Sequence, residues 1–378
     1  MRIAIDARYL GAEYTGIGVY SRHLLESLAR LDHENEYLVV THASYRGGLE
    51  LADNFEVVTD ASRPVSLRTL CTMQRALAPF EADVLHSLFP LAPLLWRKKL
   101  VVMAYDLQPL LDPQFTGMRH PVLRSLYDIF YRFSYPACLR KADYVISTSY
   151  ATKQDIKMLF PDVAEKVLVV HGGIAPEEIS RPSPEEIERV REKYDLPRRF
   201  LFYLGSTRPN KNLMQMLEAF EEFIQRHPEH QDLHWVMVVS QDRFFDPVFT
   251  RIRERNLLGR VRIHEQVSEA EKAVFFSQAE LLYYVTKWEG FGLPVLEAQG
   301  IGLPVLASTH ASLPEVCGTA ALMADPDDKD SIVEALEKFY GDPGLQRVMV
   351  ERGLENVKRF NWEKVAREVL ALYTHLLT

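Results

Sequence analysis

The run Glu289–Leu306 reads E-G-F-G-L-P-V-L-E-A-Q-G-I-G-L-P-V-L, with two carboxylates, Glu289 and Glu297, eight residues apart. Between them, Gly290, Phe291, Gly292, Leu293 and Pro294 can form a tight turn that opens into a helix, since proline suits the first helical turn. Glycine lets backbone come close to a ligand, and the unpaired N–H groups of a helix start welcome an anion. Glu289 would then lie in the turn and Glu297 would point off the first turn of the helix. Either glutamate alone is an ordinary helix-start carboxylate, favoured by the positive end of the dipole. Together they offer three points on one path. Glu289 can hold sugar hydroxyls, the amides of Phe291, Gly292 and Leu293 can hold phosphate, and Glu297 can hold a ribose diol. That set suits a nucleotide sugar.

Working back from this run, Leu281–Val285 reads as the strand that delivers Glu289. Phe200–Gly205 reads as another strand; Ser206-Thr207-Arg208-Pro209-Asn210-Lys211-Asn212 follows it, and a helix starts at Leu213. A strand ending in glycine, then two cations ahead of a helix, is built for phosphate. Loop cations are as often simply solvated. Further strands are expected at Trp235–Val239 and Arg260–His264, with Gln266-Val267-Ser268 before a helix from Glu269. Asp325-Pro326-Asp327-Asp328 contains D-x-D but reads as a capped loop before Ile332, so no metal is assigned. The chain closes on a helix over Trp362–Leu377.

The first half opens with a strand at Arg2–Asp6, then Thr15-Gly16-Ile17-Gly18-Val19-Tyr20, then helical spacing over Ser21–Leu31. As a dinucleotide fingerprint this fails, because Ser21 stands where a third glycine is needed. Phosphate contact and a mere tight turn remain equal readings. Strands are expected at Tyr37–Thr41, Phe55–Thr59, Val84–Ser87, Leu100–Tyr105, Tyr144–Thr148 and Val167–Val170. Their continuous apolar, β-branched runs suit a parallel sheet covered on both faces. A doubly wound sheet binds ligands beyond the C-terminal ends of its strands, where Asp6, His86, Tyr105, Asp106 and Ser149 fall. His86 reads as packing. Asp106 can orient or deprotonate a hydroxyl, or cap the segment before Pro109. Gly172–Pro197, glycine and proline followed by an acidic helix, reads as the interdomain linker.

At 378 residues the chain suggests two domains. The net charge of −8 is uneven: residues 1–175 carry 19 Lys+Arg and 19 Asp+Glu, and residues 176–378 carry 25 and 33. An acidic half argues against nucleic-acid binding. Over residues 94–143 the balance turns basic, eight Lys+Arg against four Asp+Glu among many aromatics, which admits peripheral contact with an anionic membrane or a solvated core helix. No run of about 18 apolar residues could span a bilayer. Three scattered cysteines (Cys71, Cys138 and Cys317) and a charged first strand in place of a leader fit a cytoplasmic protein.

E-G-F-G-L-P-V-L-E resembles the E-x7-E signature of the retaining GT-B glycosyltransferases of family four. L-P-V-L-A-S and Ser312-Leu313-Pro314-Glu315-Val316 resemble that family's next loop, and the likeness runs along essentially the whole chain. It implies an α/β GT-B fold, two Rossmann-like doubly wound parallel-sheet domains facing across a cleft. The boundaries would be 1–175 for an acceptor-side domain, 176–361 for a nucleotide-sugar domain, and 362–378 for a helix crossing back. It implies transfer of a hexose from GDP-mannose or a UDP-hexose to a glycan or lipid-linked acceptor, with retention and with neither metal nor cofactor. In this likeness Gly16 and Gly18 close over the diphosphate and Val267 lies at the base. Lys211 matches the family's phosphate lysine. The arginine usual after the glycine is replaced by Ser206, and Arg208 stands in for its charge. Tyr105-Asp106 sits where the family shows His-Asp or His; a phenol of pKa about 10 is a poor proton shuttle. The implied catalytic set is Glu289, Lys211, Arg208, Asp106 and Tyr105. An epimerase, a phosphorylase or a non-catalytic nucleotide-sugar scaffold would share this architecture.

Overall fold

The computed structural model describes residues 1–10, 16–112, 120–179, 181–240, 244–265 and 267–377. It divides into two compact units, Met1–Gly173 with Asn361–Thr378, and Ile174–Phe360.

The first unit holds seven parallel strands: β1 (Arg2–Asp6), β2 (Glu36–His42), β3 (Phe55–Asp60), β4 (Val84–Ser87), β5 (Lys99–Ala104), β6 (Tyr144–Ser147) and β7 (Val167–Val169). They lie in the order β3-β2-β1-β4-β5-β6-β7, with Ile5 beside Val39 on one side and His86 on the other. Ile3-Ala4-Ile5 and Val101-Val102-Met103 are fully buried, as a sheet with helices on both faces requires. The closing helix, Trp362–Leu377, packs on the helix Gly16–Leu31, with the Trp362 ring 5.1 Å from both Tyr20 and His23. Gly173 is needed for this, because a Cβ there would lie 2.6 Å from the Trp362 nitrogen. Further along, His86 Nδ1 and the Tyr373 hydroxyl are 2.6 Å apart. Burial pushes His86 down to about 3, so it is a neutral packing residue at physiological pH.

Just past β1 a buried ion pair organises the strand ends. Arg8 is fully enclosed and forks onto Asp6, Nε to Oδ1 at 2.8 Å and the second nitrogen to Oδ2 at 2.7 Å. Its remaining donors reach Ser62 Oγ at 2.7 Å and Thr69 Oγ1 at 2.9 Å.

The second unit holds six parallel strands: β8 (Arg199–Gly205), β9 (Leu233–Val239), β10 (Val261–His264), β11 (Leu281–Tyr284), β12 (Val305–Ser308) and β13 (Leu322–Ala324). Their order is β10-β9-β8-β11-β12-β13. The order reverses between β8 and β11, so the loops leaving these two neighbours lie side by side, the place where doubly wound sheets hold ligands.

Two readings change. The first long helix starts at Gly16 and not at Ser21, so Gly16 and Gly18 lie in its first turn; Thr15 is outside the described residues. The linker stretch holds a 3-10 turn, Pro176–Ile179, and then the acidic helix expected there, Pro184–Lys193, secured by a Ser183–Glu186 capping box. The sheet also gains β12 and β13, short strands that pass as loop in a reading by apolar runs.

Candidate active site

Three loops at the C-terminal end of the second sheet are tied into one frame. After β8, Gly205 must lack a side chain, since a Cβ would lie 2.7 Å from the Tyr203 hydroxyl, which donates to the Ser206 carbonyl at 2.7 Å. Pro209–Lys211 then forms one 3-10 turn, and Asn212 takes a left-handed conformation (φ 59°). The Asn212 side chain donates to the carbonyls of Val285 (3.0 Å) and Pro326 (2.8 Å). Asn210 donates to the Trp288 carbonyl at 3.1 Å, and its own carbonyl accepts from the Lys287 N–H at 2.8 Å. The third loop contributes Ser312, whose buried hydroxyl lies 2.9 and 2.8 Å from the carbonyls of Glu289 and Phe291.

This frame brings Lys211 and Glu289 together. Lys211 Nζ is 2.8 Å from each carboxylate oxygen, and both side chains are largely enclosed. Next, Gly292 turns the chain at φ +109°, with Leu313 Cδ2 2.7 Å from where a Cβ would stand, and the helix Leu293–Ile301 begins with Pro294 in its first turn. Glu297 is the fifth residue of that helix, beyond the first turn expected for it, and it is buried. Its Oε1 takes Lys272 Nζ at 2.8 Å; its Oε2 is buried without a hydrogen-bond partner. Burial pushes the Glu297 carboxyl up, and the Lys272 charge pulls it back. Thr286, in the loop after β11, is likewise buried with its hydroxyl unpartnered. Buried polar groups are rarely left unpaired.

Lys272 and Thr286 escaped the reading by motif. Lys272 comes from the helix Glu269–Gln278, where it also bonds Glu269 at 2.5 Å. On the sequence, E-A-E-K looks like surface helix.

The other candidates spread more widely. Arg208 is exposed at the start of the Pro209–Lys211 turn, and Ser206 is half-buried one residue past β8. Phe291 is buried against Phe360, ring centroids 5.7 Å apart, while Leu293 is half-buried. Val267 is half-buried ahead of Ser268, which caps its helix with Glu271 in return; Gln266 lies outside the described residues. Tyr105, Asp106, Gly16 and Gly18 belong to the first unit. Asp106 Oδ1 accepts from the Gln108 N–H at 3.1 Å, two residues ahead of it, while the N-cap position of the short helix Gln108–Leu111 is Leu107. The Tyr105 hydroxyl is buried without a partner, and burial raises its pKa well above the ordinary phenol value, so it stays protonated. Asp328 caps the helix Lys329–Gly341, and Asp325 accepts from the Asp327 N–H at 2.9 Å, the capped loop expected of that D-x-D. Among the described residues, His310, Asp325 and Asp327 bring three ligand-type atoms within 4.8 Å of one another. Lys287 already pairs with Asp327 at 2.5 Å, and both carboxylates are exposed.

Two family models match the chain: Glycosyltransferase Family 4 over residues 14–178 and Glycosyl transferases group 1 over residues 184–356. The chain is 27% identical over 238 residues to the O-antigen chain mannosyltransferase B of Escherichia coli, covering 62% of this chain and 61% of that protein. It is 22% identical to the O-antigen chain mannosyltransferase RfbU of Salmonella typhimurium, over 97% of each. Among solved structures, the sucrose-phosphate synthase of Thermosynechococcus elongatus superposes with a TM-score of 0.76 at 18% identity, over 100% of this chain and 99% of that one.

Proposed function

We propose, for a chain that belongs to the group 1 glycosyltransferases and has their GT-B fold, that it transfers a hexose from a nucleoside diphosphate sugar to a glycan or lipid-linked acceptor in polysaccharide assembly. The observation that carries this reading is the Lys211–Glu289 pair standing where β8 and β11 release their loops. A donor can satisfy both members at once, its diphosphate taking the ammonium and its sugar hydroxyls the carboxylate. The unpartnered Oε2 of Glu297 accepts from the ribose diol, with Lys272 holding the carboxylate in place. Amides of Phe291, Gly292 and Leu293 receive phosphate, Arg208 adds charge, and backbone about Val267 meets the base. The mannosyltransferase relatives favour mannose, and so GDP-mannose, as the donor.

The reaction in this reading retains configuration and uses no metal. The bond from C1 to the diphosphate oxygen breaks, the acceptor oxygen bonds C1 on the same face, and its proton passes to the departing phosphate oxygen. Lys211 and the loop amides stabilise the charge that grows on the diphosphate. Asp106 orients the acceptor hydroxyl, and Tyr105 donates at most a hydrogen bond. Calorimetric titration with UDP- and GDP-sugars, then product analysis by NMR with a glycan acceptor, tests this. Failure to bind any nucleotide sugar, or an inverted product, would reject it.

Glu297→Ala is expected to weaken GDP or UDP binding by about 1.5–3 kcal/mol, the range for a hydrogen bond to a charged group. Glu297→Gln keeps the shape while halving the acceptors and should fall between the two. Unchanged nucleotide affinity in a folded Glu297→Ala variant would remove this residue from the site. Turnover is expected to survive EDTA, because Lys211 and the loop amides serve the leaving group. Activity lost on chelation and restored by Mg²⁺ or Mn²⁺ would point to His310, Asp325 and Asp327 instead.

A further inference from the structure

Glu297 faces more negative charge than positive. Its carboxylate is 6% exposed, with Lys272 Nζ 2.8 Å from Oε1 and no partner on Oε2. Lys272 is itself largely enclosed and also reaches Glu269 Oε2 at 2.5 Å, so one ammonium serves two carboxylates. A third, Glu178, acts on Glu297 from the 3-10 turn Pro176–Ile179. That turn packs closely on the helix of Glu297, since a Cβ on Gly300 would lie 2.2 Å from Ile179 Cγ2. The helix's other neighbours offer no opposing charge. Tyr284 of β11 is a phenol that burial holds protonated, and Cys317 is a buried thiol pushed up to about 12. Arg359 is engaged by Asn356 Oδ1 at 2.7 Å. A buried carboxyl with no cation beside it takes up a proton. Protonation would turn one oxygen of Glu297 into a donor and cost the ribose diol an acceptor. Glu269 and Glu178 push that way, and Lys272 opposes them.

We propose that Lys272 is a positioning residue for nucleotide binding: its ammonium tethers Glu297 by Oε1 and keeps it a carboxylate, leaving Oε2 as a standing acceptor for the ribose diol. The inference rests on the donor reading, which gives Glu297 to the ribose, and adds what makes that buried group usable near neutral pH. Lys272 touches neither the sugar nor the diphosphate in this account, and its effect passes through Glu297 alone.

Calorimetric titration of the whole protein with GDP, or with UDP if the parent prefers it, between about pH 5.5 and 8.5 tests this. In Lys272→Met the carboxyl loses the charge that lowers its pKa, so it ionises at higher pH. The free variant then holds a proton that must leave before the ribose binds. Its affinity relative to the parent should therefore fall as pH falls, by at most about tenfold per pH unit. A loss of about tenfold or more is expected near pH 6, shrinking toward pH 8.5. The ratio to the parent at each pH cancels the titration of the nucleotide's own phosphate. Lys272→Arg should restore most of the affinity, and Lys272→Met with Glu297→Gln should lose the pH dependence. The 2′,3′-dideoxy nucleotide, which lacks both hydroxyls, should bind the parent and Lys272→Met equally. Unchanged affinity in Lys272→Met would overturn the proposal. So would a loss equal at every pH, or one that the dideoxy nucleotide shares, because Lys272 would then only hold the helix Glu269–Gln278 in place. A parent that binds neither GDP nor UDP would reject the donor reading itself, and this proposal with it.

Discussion

Arg8→Met is expected to destabilise the first unit by about 3–5 kcal/mol, the cost of breaking a buried ion pair from one side. Arg8 and Asp6 have almost no exposed surface, and the guanidinium donates to both Asp6 oxygens and to the hydroxyls of Ser62 and Thr69. Methionine fills much of the space but leaves the Asp6 carboxylate buried with its cation gone. The carboxyl must then stay protonated in the folded chain, whereas unfolded aspartate titrates at about 4. The folded state of the variant therefore holds a proton that the unfolded state gives up. Its stability falls as pH rises above about 4, so the penalty should be small near pH 4 and large at neutrality. Asp6→Asn beside Arg8→Met should recover part of the loss, because the uncompensated charge is gone. Exchange protection of the β1 amides in the full chain, followed against urea and pH, measures this. A single variant that loses under 1 kcal/mol at neutral pH, or whose loss ignores pH, would mean that the pair contributes only shape.

What could be read in the sequence, and what could not, divides by the range of the interaction. The parallel sheets were legible because each strand is a short apolar run whose burial on two faces needs no partner to be named. Glu289 was legible as a loop residue because the glycines around it leave few conformations. The depth of Glu297 was not. It depends on where the helix starts, and Gly292 sets that by turning at positive φ against Leu313, the first residue of the short helix Leu313–Cys317. Lys272 was illegible for a related reason: nothing in E-A-E-K says that its ammonium reaches a carboxylate 25 residues on. The same holds for Arg8, whose partners Ser62 and Thr69 lie 54 and 61 residues away. Gly16 and Gly18 misled because glycine usually interrupts a helix, and here the first long helix includes them both. The helix Pro121–Lys141 was half legible, since a basic and aromatic composition does not say which side chains face inward.

Lys211→Ala is expected to lower turnover by about two orders of magnitude or more, the loss seen when one preorganised electrostatic donor is removed. Lys211 is bound to both oxygens of Glu289, and the two side chains are mostly shielded from water. A donor must therefore draw the ammonium toward its diphosphate, and it supplies hydroxyls to Glu289 in exchange. Charge on the diphosphate grows as the sugar–phosphate bond breaks, so Lys211 contributes more in the transition state than in the ground state. Donor affinity should fall less than turnover, because Arg208 and the loop amides already share the ground-state charge. Glu289→Gln separates the roles. It removes the charge that holds Lys211 and one of the two acceptor oxygens, so binding of GDP alone should hold or tighten, while transfer falls as the sugar hydroxyls lose an acceptor. Tyr105→Phe should be the mildest change, since the phenol is held protonated by burial and its hydroxyl meets no partner. Single-turnover rates beside donor dissociation constants for the three variants distinguish these outcomes. If Lys211→Ala loses affinity and keeps kcat at saturation, Lys211 only docks the donor. If Tyr105→Phe costs more in kcat than Lys211→Ala, the proton does not leave by the donor phosphate, and the end of β5 holds the chemistry.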